Sequence, residues 1–396
     1  YQQYQLQSNA GRADWFVQSF VNGTDWANEV SQLDRASKVT KEQVVALANK
    51  YLGDNNYALI YKRQGKDPNE KKIDKPQITP IAMNRDTASA FLRQIQEEAA
   101  AAAPIEPVFL DYAKDLTQLT AKDGALPVLY KQNTKDDIFQ LVYLFDMGIE
   151  QDRYLGMAAR YLEYLGTSDL TPEQVKQEFY RMACGFGVSS GTRRTYVTLS
   201  GLNEYLPQAI ALFEKLLADA QVNPQAWSNL VADQLKARQD AKLNQSSNFS
   251  RLMQYVFYGP KATQVQLTEA ELKAVNPQAL VDRIHGLNTY KHRILYYGPS
   301  TSDELLAVID REHHTADALK DIPAPDFRLT LQQTPETRIY VAPYDAKNLY
   351  MMQYSNRGEK FDPASEPRRQ LYGEYFGGGM NSIVFQEMRE SRGLAY

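Results

Sequence analysis

Acid–base, metal and nucleophilic chemistry each require particular residue types at particular spacings. The histidines of this 396-residue chain stand at 285, 292, 313 and 314, and none has a second His three or four residues on beside a Glu. That arrangement is what places two imidazoles on one helix face around zinc. His313 and His314 are adjacent, so a helix would point them to different sides, and the four read as solvated surface groups. Cys184 is the single cysteine. A lone thiol makes no internal disulfide, and with no His placed to activate it, Cys184 reads as a small apolar residue of a core. Gly377-Gly378-Gly379 lacks the Gly-Lys-Ser/Thr ending of a phosphate loop, and no Gly-x-Ser-x-Gly elbow occurs. One pair remains. Arg389 and Tyr396, seven positions apart, could offer a guanidinium and a phenol to a polarised carbonyl oxygen. On chemistry alone, Arg389 is one of several solvated charges in Arg389-Glu390-Ser391-Arg392 and Tyr396 a packed strand residue.

Composition narrows the classes. Apolar residues make up 43% and charged residues 23%, the balance of a soluble globular protein with real cores. The length allows two or three domains of about 100 to 200 residues each. A formal charge of -4 gives no basic excess for nucleic acid or an anionic membrane surface. No apolar run reaches the roughly 18 residues of a membrane span. Tyr1 to Asn9 is polar and unlike a signal peptide, so a targeting segment is expected upstream if there is one. Both ends read as cuts, the last because Gly393-Leu394-Ala395-Tyr396 begins an apolar segment that stops at once.

The elements that would position these residues follow from periodicity and caps. Thr40-Lys41-Glu42-Gln43 is a capping box ahead of a helix that stops at Gly53, and Tyr57 to Lys62 has strand composition. Gly65 to Ala88, with Pro68, Pro76 and Pro80, reads as a linker followed by a helix over Phe91 to Ala103. Leu126 to Tyr130 and Ile138 to Met147 read as strands that could pair as a hairpin across Asn133 to Asp137. Helices are expected over Arg153 to Tyr164, from Thr171-Pro172, over Leu206 to Ala220, Pro224 to Arg238, Ser247 to Phe257, Glu269 to Ala274, Pro277 to His285 and Ser302 to Arg311. Strands are expected over Phe186 to Ser190, Thr195 to Leu202 and Arg293 to Tyr297, and then at Arg338 to Val341 and Asn348 to Tyr354. The last of these, NLYMMQY, could be an edge strand that pairs with an extended peptide, or a plain core strand. Arg368 to Arg392 reads as helical on both sides of the triple glycine. Strands and helices in blocks, without strict alternation, predict an α+β fold with a mainly antiparallel sheet.

The segment Tyr375-Phe376-Gly377-Gly378-Gly379 through Met388-Arg389-Glu390-Ser391-Arg392-Gly393-Leu394-Ala395-Tyr396 resembles the pitrilysin/insulinase family of zinc peptidases (peptidase M16), in which a glycine-rich break precedes a helix, a basic cluster and Gly-Leu-Ala-Tyr. Upstream, Leu162-Glu163-Tyr164-Leu165-Gly166-Thr167, the capped helix from Thr171 and Phe186-Gly187-Val188-Ser189-Ser190 extend the resemblance over nearly the whole chain. The resemblance implies repeated α+β domains whose halves close around an unfolded peptide, with zinc bound in the first domain by a His-x-x-Glu-His helix and a later Glu. Counted back from Gly166-Thr167, those positions fall on Met157, Arg160 and Tyr161, and the later Glu near Asp233 or Gln234. None is a convincing zinc ligand.

The resemblance therefore implies an internal fragment. Residues 1–65 would be the end of a second domain, 66–107 a linker with a helix, 108–320 a non-catalytic third domain, and 325–396 the truncated start of a fourth. It implies no catalytic residue and no metal site in this chain, and it makes Arg389 and Tyr396 substrate-binding. Zinc would be held by an upstream domain of the complete enzyme. Partners would be an unfolded or extended peptide and the missing catalytic half, in the same polypeptide or as a separate active subunit. A metal-free peptide-binding or partner subunit of the same family is the alternative. Periplasm or cell envelope is the expected location if the full protein carries an upstream signal peptide.

Overall fold

Several helix starts in this chain are set by side-chain oxygens. The hydroxyls of Thr40, Thr171, Thr268 and Thr301 each accept the N–H three residues on, while Gln43, Gln174, Glu271 and Glu304 reach back to the N–H of the cap. These reciprocal bonds satisfy donors that the first turn of a helix leaves open, and pin each start to one residue. The computed structural model describes residues 2–62, 64–65, 71, 88–104 and 106–394, and the chain divides into two units, Tyr1–Asp115 and Leu116–Tyr396.

In the first unit, helices run over Gln2–Leu6, Asn9–Asn22, Trp26–Val30, Gln32–Ala36, Lys41–Tyr51, Ala90–Ala101 and Tyr112–Asp115. Trp26 stacks on Phe16 at 4.4 Å and meets Trp15 edge-on at 5.5 Å, and the Trp15 indole N–H donates to Glu29. The predicted stripe of the Lys41–Tyr51 helix, with Val44, Val45, Leu47 and Tyr51, is exposed. Residues 57–62, expected as a strand, run without strand pairing. A β-rich sequence becomes a strand only where a neighbouring edge takes up its backbone groups.

The second unit is built on a six-stranded sheet with the strands β1 (Thr117–Ala121), β2 (Leu126–Gln132), β3 (Ile138–Phe145), β4 (Gly185–Ser190), β5 (Thr195–Leu202) and β6 (Arg293–Gly298), in the order β1-β2-β6-β3-β5-β4. Only the β2–β6 pairing is parallel. This is the α+β, mainly antiparallel architecture that the blocks of elements predict. The expected β2–β3 hairpin is corrected: β6 lies between the two. The link at 133–137 has no tight two-residue turn. Asn133 accepts from the Lys135 N–H, Asp136 accepts from the Ile138 N–H and from the Asn133 amide, and the Asn133 N–H donates to the Gly298 carbonyl of β6. The link is shaped by its own side chains to step over a strand-wide gap.

Register puts Leu141, Tyr296 and Leu199 on one face beside Tyr143, Ile294, Val197 and Val128. That face is buried under the helices Leu155–Leu162, Leu206–Asp219, Pro277–His285 and Ser302–Glu312, with Phe213 at its centre against Tyr143 and Phe186. Gln140, Tyr196, Thr198 and Ser200 lie on the opposite, exposed face. Near the end of β5 Gly201 has φ +156° and faces the Cys184 thiol where a Cβ would stand, so this close approach requires glycine.

Beyond Lys320 the chain runs back over the domain. The strands expected at Arg338 to Val341 and Asn348 to Tyr354 are not formed, and the NLYMMQY edge strand with them. The stretch around them is held by scattered bonds instead: Tyr354 Oη–H donates to the Gln332 carbonyl, Thr334 and Asn356 exchange N–H bonds, and Tyr344 Oη–H donates to the Leu243 carbonyl. Neither edge strand of the sheet, β1 or β4, pairs with them. Glu366–Gly373 and the wider-wound turns Glu374–Gly378 and Phe385–Ser391 flank the triple glycine, which breaks the helix where Gly379 is extended.

Replacing Phe213 with Ala is expected to cost about 3–5 kcal/mol in urea unfolding, while Gln140→Ala on the open sheet face stays within about 0.5 kcal/mol. Equal effects would show that the buried layer is not where this packing puts it.

Candidate functional site

The positions that the resemblance assigns to metal ligands lie on two helices that do come together. Met157 and Tyr161 are buried on the Leu155–Leu162 helix. Arg160, one position before Tyr161, reaches across to the Pro224–Lys242 helix and donates from Nη1 to Gln234 Oε1 at 2.6 Å. The Tyr161 hydroxyl donates to the Asn223 carbonyl at 2.7 Å and accepts the Asn223 N–H at 2.8 Å, and its ring meets Trp227 edge-on at 5.5 Å. Burial, partly offset by the bond to Asn223, raises the phenol pKa. A thioether, a guanidinium and a neutral phenol committed to backbone do not suit a zinc ion, which binds thiolate, imidazole and carboxylate. Among the described residues no group of three or more His, Cys, Asp or Glu could hold a metal. The helix pair is closed by hydrogen bonds, and no step is derived through a metal here.

Arg389 lies on the Phe385–Ser391 turns, half-exposed, with its guanidinium 4.7 Å from the Phe385 ring centre and 3.8 Å from Glu390 Oε1. The Gly393 N–H donates to the Arg389 carbonyl, and Gly393 takes φ +60° to end the helical stretch. Tyr396 lies outside the described residues. Cys184 is half-buried against the core, and burial pushes its thiol up to about 11, which keeps it protonated and unreactive at neutral pH.

The reading of all four histidines as surface groups is corrected. His292 and His313 are buried, and with Glu214 and Asn288 they form a polar chain inside the core. The protons on that chain can be assigned from its acceptors. His292 Nδ1 lies 2.7 Å from the Tyr290 carbonyl, which can only accept, so Nδ1 carries hydrogen and Nε2 of the neutral ring is a lone pair. His313 Nε2, at 2.9 Å, must then donate to it. His313 Nδ1 stands 2.6 Å from Glu214 Oε1, while Glu214 Oε2 accepts from Asn288 at 2.9 Å and the His314 N–H at 3.4 Å. One proton lies between His313 and Glu214, as imidazolium with carboxylate or as imidazole with carboxylic acid, and in both forms the pair is neutral overall. The Tyr143 ring lies tilted against His313, centroids 4.4 Å apart, and its phenol is pushed well up by burial and then by the Glu214 charge.

Spacing rules could not find this chain, because its members are far apart in sequence. One local signal was available. Glu214 interrupts the apolar stripe of Leu206, Ile210, Phe213 and Leu217, and a carboxylate at a core position requires a partner.

No protein-family model and no curated protein sequence matches the chain. Its fold is similar to that of solved structures. A peptidase M16 inactive domain from Pseudomonas fluorescens matches with a TM-score of 0.52 at 16% identity, over 71% of this chain and 69% of that one. A protease from Helicobacter pylori matches with a TM-score of 0.50 at 16% identity, over the same shares. The periplasmic protease PqqL from Escherichia coli aligns with 78% of this chain at 14% identity and a TM-score of 0.46, and this chain spans about a third of its length, 31%. Among the described residues no helix is long and apolar enough to cross a membrane.

Burial holds His292 down at about 4, against 6.5 in an unfolded chain. The unfolded state therefore binds the extra proton first as pH falls. The stability this group contributes is complete above about pH 6.5, declines as pH falls towards about 4 and is lost below that, about 3 kcal/mol in all. Urea unfolding between pH 7 and 4 measures the decline, and His292→Gln, which keeps an acceptor for His313 and cannot titrate, is expected to remove that part of the slope. An unchanged slope contradicts the assignment.

Proposed function

We propose that this chain is the non-catalytic, substrate-binding half of a zinc metalloendopeptidase of the pitrilysin/insulinase type. The observation that carries the reading is the helix pair closed by Arg160–Gln234 and Tyr161–Asn223. It occupies the place of a metal site within a fold similar to an M16 inactive domain, and offers no zinc ligands there. In this reading residues 1–65 end an upstream domain, 66–107 link the halves, 108–320 are the third domain and 325–396 open the fourth. Zinc and the general base belong to the first domain, and the location is periplasm or cell envelope if the full protein carries an upstream signal peptide.

Large apolar groups left in solvent support a role that needs a partner. Leu371, Tyr375 and Met380 lie exposed around the triple glycine. Apolar groups clustered along one short segment can be covered by another protein or an extended peptide. Arg389 and Tyr396 are the residues for the substrate: a guanidinium and a phenol each donate to a peptide carbonyl, and the bond strengthens as negative charge grows on the oxygen. Such donors act when the halves close and exclude water.

Two results are expected. The chain alone binds a fluorescein-labelled unstructured peptide without cleaving it. In the complete protein Tyr396→Phe lowers kcat by about 10²-fold with peptide affinity unchanged. Cleavage by the chain alone, or wild-type kcat in the variant, would sink the reading; binding by a complete protein that never cleaves would favour a metal-free partner subunit instead.

A further inference from the structure

We infer that Arg160, Arg238 and Arg251 form a carboxylate-binding site beside the closed helix pair, taking an acidic side chain or the terminal carboxylate of a bound peptide. The inference rests on the peptide-binding reading for the identity of its ligand, though not for the existence of the site.

The three arginines share a property that is costly to maintain. Arg160 donates to a neutral amide, Gln234, so its charge is not compensated by that bond. Arg238 stands one turn beyond Gln234 on the same helix, on the stripe that begins with the buried Trp227 and Val231. Its Nε is buried and finds no acceptor among the described residues. A buried donor with no partner is unfavourable, and a charged one more so. Arg251, on the neighbouring Gln245–Tyr258 helix, also has a neutral partner, Gln266 Oε1 at 3.3 Å. It stands close enough to Arg238 that, after burial, its charge is the larger influence lowering the Arg238 pKa.

Three carboxylates of the neighbouring elements are already engaged. Glu269, whose charge reaches Arg238, is paired with Lys273 at 2.6 Å. Glu271 is held by Arg153 at 2.8 Å, and Asp240 is held by Lys236 at 2.6 Å on the other side of the Pro224–Lys242 helix. Arg238 and Arg251, close enough to feel each other's charge and with a missing and a neutral partner, are a ready receptor for a planar anion, and Arg160 is tied through Gln234 to the helix that carries Arg238. A carboxylate takes two parallel N–H bonds from such a group, satisfies the open Nε and relieves the repulsion between Arg238 and Arg251.

The test uses fluorescence anisotropy with four labelled versions of one unstructured peptide: Glu-containing or Gln-substituted, each with a free or an amidated C-terminus. The acidic forms are expected to bind about tenfold tighter than the neutral amidated form. The contrast between the two single changes tells whether side chain or terminus is taken. Arg238→Gln and Arg251→Gln should abolish the preference and leave the affinity of the neutral amidated peptide unchanged. Arg251 is exposed, so its variant keeps the test valid if Arg238→Gln fails to fold. Equal affinity for all four peptides, or a preference that survives in both variants, overturns the site while leaving peptide binding intact. If no peptide binds, the peptide reading fails, and glutarate decides the site by itself: a rise in Tm for wild type and none for Arg251→Gln supports it, and no rise in wild type overturns it.

Discussion

A carboxylate inside a hydrocarbon core must be neutralised, and in this chain Glu214 is neutralised by one proton shared with His313. The requirement reaches across the fold. Glu214 comes from the central Leu206–Asp219 helix, Asn288 from the turn ahead of β6, His292 from the approach to that strand, and His313 from the C-terminal cap of the Ser302–Glu312 helix. Each member satisfies the next, from the Tyr290 carbonyl through two imidazoles to the carboxyl group. Removal of one partner leaves a buried polar group unmet, so the chain fixes how the last helix and β6 seat against the sheet. It also explains why β6 can sit in the middle of the sheet, since the segment before that strand is tied to the helical layer.

The second constraint lies at the helix pair. In a metal site the ion's charge draws two helices together; here a guanidinium–amide bond and a phenol shared with backbone do so. The Arg160 guanidinium at this junction is bonded to a neutral amide, so its positive charge stays in place between the helices.

Much of the helical layer was legible in the sequence, because its signals are local. The helices at Glu269–Ala274 and Pro277–His285 and the strand Thr195–Leu202 lie at their predicted residues, where caps, Pro at the first helical positions and alternation coincide. The failures were non-local. Nothing in Leu126 to Phe145 announces that a strand from 293 will separate its two halves, and Arg338 to Tyr354 has strand composition but pairs with neither edge of the sheet. His292 and His313 look like surface residues until Glu214, 99 positions before His313, is placed beside them. Of the two residues expected to meet substrate, Arg389 lies on a half-exposed turn and Tyr396 is outside the described residues.

The most direct test of the account is metal analysis of the purified chain after equilibration with zinc and exhaustive dialysis. The closed helix pair predicts far less than one zinc per chain, with no change in Tm on adding zinc or a chelator. About one tightly held zinc per chain, lost together with Tm on chelation, would contradict it.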